Sequence, residues 1–117
     1  AQTTKAQKGF GVTVVQTQPE FPGGSDSLQA YIQQNLQYPA EAFKNRIQGR
    51  TYIGFTVTFE GKVTKAKVLK SANALLDEEA MRMISGMPDW KPGTASGKPV
   101  NVDYILPIDF ILPPAKN

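Results

Sequence analysis

The chain has 117 residues, 40% of them apolar and 20% charged, with a net charge of +3; this describes one ordinary folded domain with a modest core. It contains no cysteine and no histidine, which excludes disulfides, thiol chemistry, Cys/His zinc sites and any mechanism built on a histidine base. No apolar run reaches the ~18 residues of a membrane span, and the basic residues are interleaved with acids rather than gathered into a nucleic-acid-binding stripe.

Residues 1–10 are small and polar and read as a flexible lead-in without a signal-peptide core; residues 11–117 read as one domain. Val12, Val14 and Val15 form a short β-prone run that ends at Gln18-Pro19. The turn cluster Phe21 to Ser25 then offers Ser25 as an N-cap and Asp26 as a first-turn acid. Leu28, Ile32 and Leu36 recur at spacing four, which predicts a helix over Asp26 to Asn35. Pro39 sits at the first position of a short second helix running to Phe43.

From Thr51 to Phe59 the odd positions Ile53, Phe55, Val57 and Phe59 are apolar, the period of a strand with one wet face. Glu60-Gly61 predicts a tight turn, and Lys62 to Lys70 the return strand. The alternation breaks between Val63 and Ala66, so a bulge is expected there. Thr56, Thr58, Lys65 and Lys67 would lie on the wet face. Asp77 is expected to cap the next helix, whose buried stripe is Leu76, Ala80, Met83, Ile84 and Met87, and Pro88 stops it. Trp90, between Pro88 and Pro92, is expected to fold over the helix end as a structural anchor with its N–H satisfied nearby. The last strand, Val100 to Leu112, has apolar residues at its even positions. Pro107 lies on its other face and cannot donate to a ladder, so this strand is expected at a sheet edge.

The fold class that follows is α+β: a three-stranded antiparallel sheet, made of a hairpin and the C-terminal edge strand, with two main helices on one face. The Val12 to Val15 run leaves an extra N-terminal strand open. The acids at Asp77, Glu78 and Glu79 read as the first turn of a helix rather than an acid/base pair. Gly23-Gly24 reads as a turn rather than a phosphate cradle, because no lysine follows at P-loop spacing. Lys62, Lys65, Lys67 and Lys70 read as a solvated sheet face, since no aromatic platform accompanies them. No catalytic residue, metal ligand or cofactor is expected, and the chain is not read as an enzyme.

A series of segments carries a family resemblance: PEFPGG (Pro19 to Gly24), NLQYPAEA (Asn35 to Ala42), GRTYIGFTV (Gly49 to Val57), EGKV (Glu60 to Val63) and KVLKS (Lys67 to Ser71). LDEEAMRMISGMPDWKPG (Leu76 to Gly93), GKPV (Gly97 to Val100) and YILPIDFIL (Tyr104 to Leu112) continue it. In this order and spacing they resemble the C-terminal domain of TonB, the periplasmic energy transducer, in its Bacteroidetes form. The resemblance implies a module that grips the TonB box, an extended segment on the plug of TonB-dependent outer-membrane receptors, by adding it as a strand to the sheet edge. Such a transducer is energised by a proton-channel complex of the inner membrane through segments absent from this chain, and its pull supports active import.

By the same resemblance the peptide-binding strand is Val100, Asn101, Val102, Asp103, Tyr104 and Ile105, and pairing is limited at Pro107. Unpaired edges also invite self-pairing, which leaves a homodimer through this strand open. The chain shows neither a membrane helix nor a Pro-rich spacer. It is therefore expected to be a fragment of an inner-membrane-anchored protein, or else a stand-alone exported or sensor-fused domain that binds a peptide or envelope partner without transducing energy.

Overall fold

The computed structural model describes residues 15–113. Its elements run α1 (Ser25–Asn35), α2 (Ala40–Lys44), β1 (Gly49–Val57), β2 (Val63–Lys70), α3 (Ala74–Ser85), β3 (Gly93–Ala95), β4 (Lys98–Val100) and β5 (Val102–Phe110). The main sheet has the order β2-β1-β5, antiparallel throughout, and β3 pairs β4 in a second small sheet. One face of the main sheet is covered. Ile53, Phe55 and Val57 of β1 and Leu106, Ile108 and Phe110 of β5 pack with Leu28 of α1, Ala42 of α2 and Leu76, Ala80, Met83 and Ile84 of α3. The expected α3 stripe is buried apart from Met87, which lies beyond the helix end and is half-buried.

The β1–β2 hairpin buries Ile53, Phe55 and Val57 as the alternation of β1 predicts, but β1 ends at Val57, so Phe59, expected on the same face, lies in the turn and is exposed, and β2 leaves Val68 and Leu69 exposed as well. Its loop closes through Thr58 N–H to Lys62 O at 2.9 Å and Gly61 N–H to Thr58 O at 2.8 Å. Gly61 has φ 87°, and a Cβ there would stand 2.2 Å from the carbonyl oxygen of Trp90, so both conformation and space require glycine. The expected bulge is present: the register shifts between Gly54 and Thr56, opposite Lys65, which has φ 57°. A second shift between Tyr52 and Ile53 leaves Leu69 as an extra residue of β2.

Two expected caps are corrected. The N-cap of α1 is Gly24 rather than Ser25, which is already helical, and no side chain caps this end. The N-cap of α3 is Asn73, whose Oδ1 accepts from Leu75 N–H at 2.8 Å. Asp77, expected to cap, lies within the first turn. Its Oδ1 accepts from Thr51 Oγ1 at 2.7 Å and from Ala72 N–H at 3.2 Å, and its other oxygen accepts from Ser71 Oγ. Thr51 is wholly buried, so this carboxylate ties the start of α3 to β1.

Trp90 is 3% exposed and closes the core as expected. It stacks edge-on against Phe21, Phe55 and Tyr104, at ring-centroid distances of 5.6, 5.4 and 5.1 Å. Its backbone N–H donates to Gly61 O at 2.7 Å, and Lys62 pairs with Asp89, so the Pro88 to Pro92 crossing is fastened to the hairpin turn. The indole N–H was expected to be satisfied; it has no partner among the described residues. Thr17 and Glu20 bridge to Thr94 and Lys91, extending the small sheet. The Val12 and Val14 part of the expected N-terminal strand lies outside the described residues.

Candidate functional site

Of the two edges of the main sheet, β2 is irregular, interrupted by two register shifts and lined by Lys65, Lys67 and Lys70. Such features blunt an edge against further pairing. The other edge, β5, stays in unbroken register with β1 over nine pairs, from Gly49↔Phe110 to Val57↔Val102. Among the described residues no strand pairs its outer side.

Backbone alternation fixes which groups of β5 are free. The Thr58–Lys62 bond directs the even residues of β1 toward β2, so the odd residues face β5. Their partners, Val102, Tyr104, Leu106, Ile108 and Phe110, therefore use their N–H and C=O groups on β1. Asp103, Ile105, Pro107 and Asp109 direct theirs outward. Pro107 fits this alternation: it lies opposite Tyr52, and its missing donor falls on the open side without disturbing the register. Ahead of it, Asp103 and Ile105 each present a free donor and acceptor.

The same odd residues place their side chains on the solvent face of the sheet. Asp103 accepts from Thr56 Oγ1 at 2.8 Å. Asp109 is held by Arg50 through two hydrogen bonds, at 2.5 and 3.1 Å, and this pairing keeps the Arg50 guanidinium protonated above its ordinary range. Ile105 is 47% exposed, because its cross-strand partner is Gly54. A Cβ on Gly54 would lie 2.8 Å from Leu69 Cδ1, so Leu69 leans over this bare stretch of backbone from the other side.

This topology is that of a known domain. The family described as Gram-negative bacterial TonB protein C-terminal matches residues 34–112. The chain belongs to the TonB C-terminal domain family. The solution structure of the Helicobacter pylori TonB C-terminal domain is similar to it, with a TM-score of 0.60 and 24% identity over 80% of this chain and 89% of that one. No curated protein matches it. TonB C-terminal domains are binding and transducer modules rather than enzymes, and they are periplasmic in the family.

In this TonB C-terminal domain the residues expected at the edge divide into two groups. Val102, Asp103, Tyr104 and Ile105 are on β5. The expected single strand Val100 to Leu112 is instead split. Val100 ends β4 and pairs with Gly93, and the strand resumes at Val102 because Asn101 turns its side chain to accept from Phe59 N–H at 2.7 Å. Asn101 thus serves the end of β1. Leu112 lies past the end of β5, where its N–H donates to Gln48 Oε1. Trp90, Pro88 and Pro92 sit in the core-closing crossing, with Trp90 packed edge-on against Tyr104 of the edge strand. The sequence reading missed the contribution of β1, namely Arg50, Gly54 and Thr56. The available signal was a glycine inside an otherwise regular strand, a mark of close approach.

Proposed function

We propose that this domain is the periplasmic binding module of a TonB-type energy transducer, and that it captures the TonB box of outer-membrane receptors as a fourth strand on β5. The observation that carries the reading is the β5 edge, in unbroken register with β1 and unpaired on its outer side among the described residues, set against an irregular, lysine-lined β2 edge. An added strand would take its hydrogen bonds from Asp103 and Ile105 and lose one donor at Pro107. Main-chain pairing supplies most of the affinity and leaves side chains to adjust it, so one domain can serve many receptors. So short a contact falls below the area of standard protein interfaces, and micromolar-range affinity follows. Along a strand-to-strand ladder several hydrogen bonds share a pull, which suits a contact that must carry force and then release.

The test is calorimetric titration with receptor plug segments whose amides are N-methylated one at a time. Capture at the edge predicts that methylation abolishes binding at alternate peptide positions and is tolerated between them. Uniform tolerance would show that the peptide does not pair as a strand.

A further inference from the structure

The outward groups of β5 say where a strand would pair; its side chains say which peptide it would prefer. We infer that Asp103 and Ile105 select the captured peptide by side chain, taking a β-branched aliphatic residue beside Ile105 and a cationic or hydroxyl residue beside Asp103, while excluding an acid there. This rests on the strand-capture reading of β5.

Two observations carry it. Among the described residues Ile105 has a cross-strand neighbour on one side of its row, and that neighbour is the side-chain-less Gly54 with Leu69 leaning over it. A strand added at the edge would place one side chain directly beside Ile105 on the same face, about 5 Å away. An aliphatic residue there extends the apolar surface that Ile105 forms with Leu69 over Gly54, in a row whose far member on β2 is Lys67, whereas a charged one is set against the Ile105 side chain.

Asp103 differs from its companion Asp109. Asp109 is neutralised by Arg50, but Asp103 accepts only from the Thr56 hydroxyl and forms no ion pair with a described residue. In its own row stand Thr56 and Thr64, and the nearest lysines, Lys65 in the bulge beside Thr64 and Lys67 in the next row, are both on β2, two strands away at roughly 10 Å. The carboxylate, one oxygen on Thr56 and no cation paired with it among the described residues, stands on the solvent face beside the place of an incoming strand with its charge uncompensated. Residues opposite Asp103 and Ile105 lie two apart in the peptide and share a face, so the two preferences together set the register.

The experiment starts from a receptor plug segment that the domain binds and replaces each of its positions in turn by Lys and by Asp. Binding is read by calorimetry at low salt to wild type, Asp103→Asn and Asp103→Lys. One peptide position is expected at which Lys binds roughly three- to tenfold tighter than Asp, two residues from a position that requires an aliphatic. The preference should vanish in Asp103→Asn and invert in Asp103→Lys at that position alone. Whether it lies before or after the aliphatic residue reports the direction of the bound strand. Equal binding of Lys and Asp peptides at every position, or a preference unchanged in Asp103→Lys, overturns the inference while leaving strand capture standing. Failure of every plug segment to bind the wild-type domain overturns both.

Discussion

Substitution of proline at neighbouring positions of β5 separates the two sides of the strand. Ile105→Pro removes an N–H that faces away from β1, as Pro107 already does two residues on. Its side chain is 47% exposed, so no core contact or ladder bond to β1 is lost, and a stability cost of about 1 kcal/mol is expected. Leu106→Pro removes an N–H used on β1 opposite Ile53, and a side chain that is 4% exposed. Emptying that site costs about 2–5 kcal/mol and the orphaned carbonyl a further ~1–3 kcal/mol, which rivals the whole stability of a small domain. For peptide capture the order reverses in interest. The folded Ile105→Pro variant loses one hydrogen bond to the peptide and strands a peptide carbonyl, together about 1.5–3 kcal/mol, or roughly ten- to a hundredfold in affinity. Thermal melts and calorimetry on both variants, with Ile105→Ala as the side-chain control, make the comparison. Unfolding of Ile105→Pro to the same degree as Leu106→Pro would refute the assigned alternation. A folded Ile105→Pro that binds receptor segments as wild type does would refute capture at this edge.

Other expectations concern the scaffold. Burial opposes ionisation of Asp77, but hydrogen bonds from Ser71, Thr51 and the Ala72 and Asn73 amides outweigh it and hold its pKa below the ordinary value. A carboxylate depressed in the folded state stabilises above the unfolded pKa and loses that contribution as pH falls through the folded one. Stability should therefore decline below pH about 4, less steeply in Asp77→Asn, as read by urea denaturation across pH. Gly61→Ala should cost at least ~2 kcal/mol, because the new methyl meets the Trp90 carbonyl, a backbone atom, at 2.2 Å; a smaller loss in denaturant midpoint would mean that the crossing can shift. Trp90→Phe loses packing but no hydrogen bond among the described residues, so about 1–3 kcal/mol is expected by denaturation, against about 3–5 kcal/mol for Trp90→Ala.

The regular parts of this fold were legible because their burial is periodic. Ile53, Phe55 and Val57 alternate in β1, the even residues alternate in β5, and Leu76, Ala80, Met83 and Ile84 recur at helical spacing in α3; each pattern reports one buried face. Pro107 gave away the edge because a missing donor is tolerated only where no partner needs it. What stayed hidden depends on contacts distant in sequence. Asp77 looks like a cap, but Thr51, on a strand 26 residues earlier, recruits its carboxylate, and Asn73 takes the capping role. The β3–β4 hairpin has three-residue strands, too short to show a period. The break at Asn101 is set by its bond to Phe59, 42 residues away. At the edge itself the strand was legible, but the free flank of Ile105 was not, because it arises from Gly54 on the neighbouring strand and the extra residue Leu69 in β2.

The most direct measurement is an NMR titration of the isotopically labelled domain with TonB-box peptides from receptors of the same organism. Capture at β5 predicts amide shifts concentrated on Asp103 and Ile105, with β2 unmoved. Shifts centred on β2 or on the helical face, or none at millimolar peptide, would contradict it.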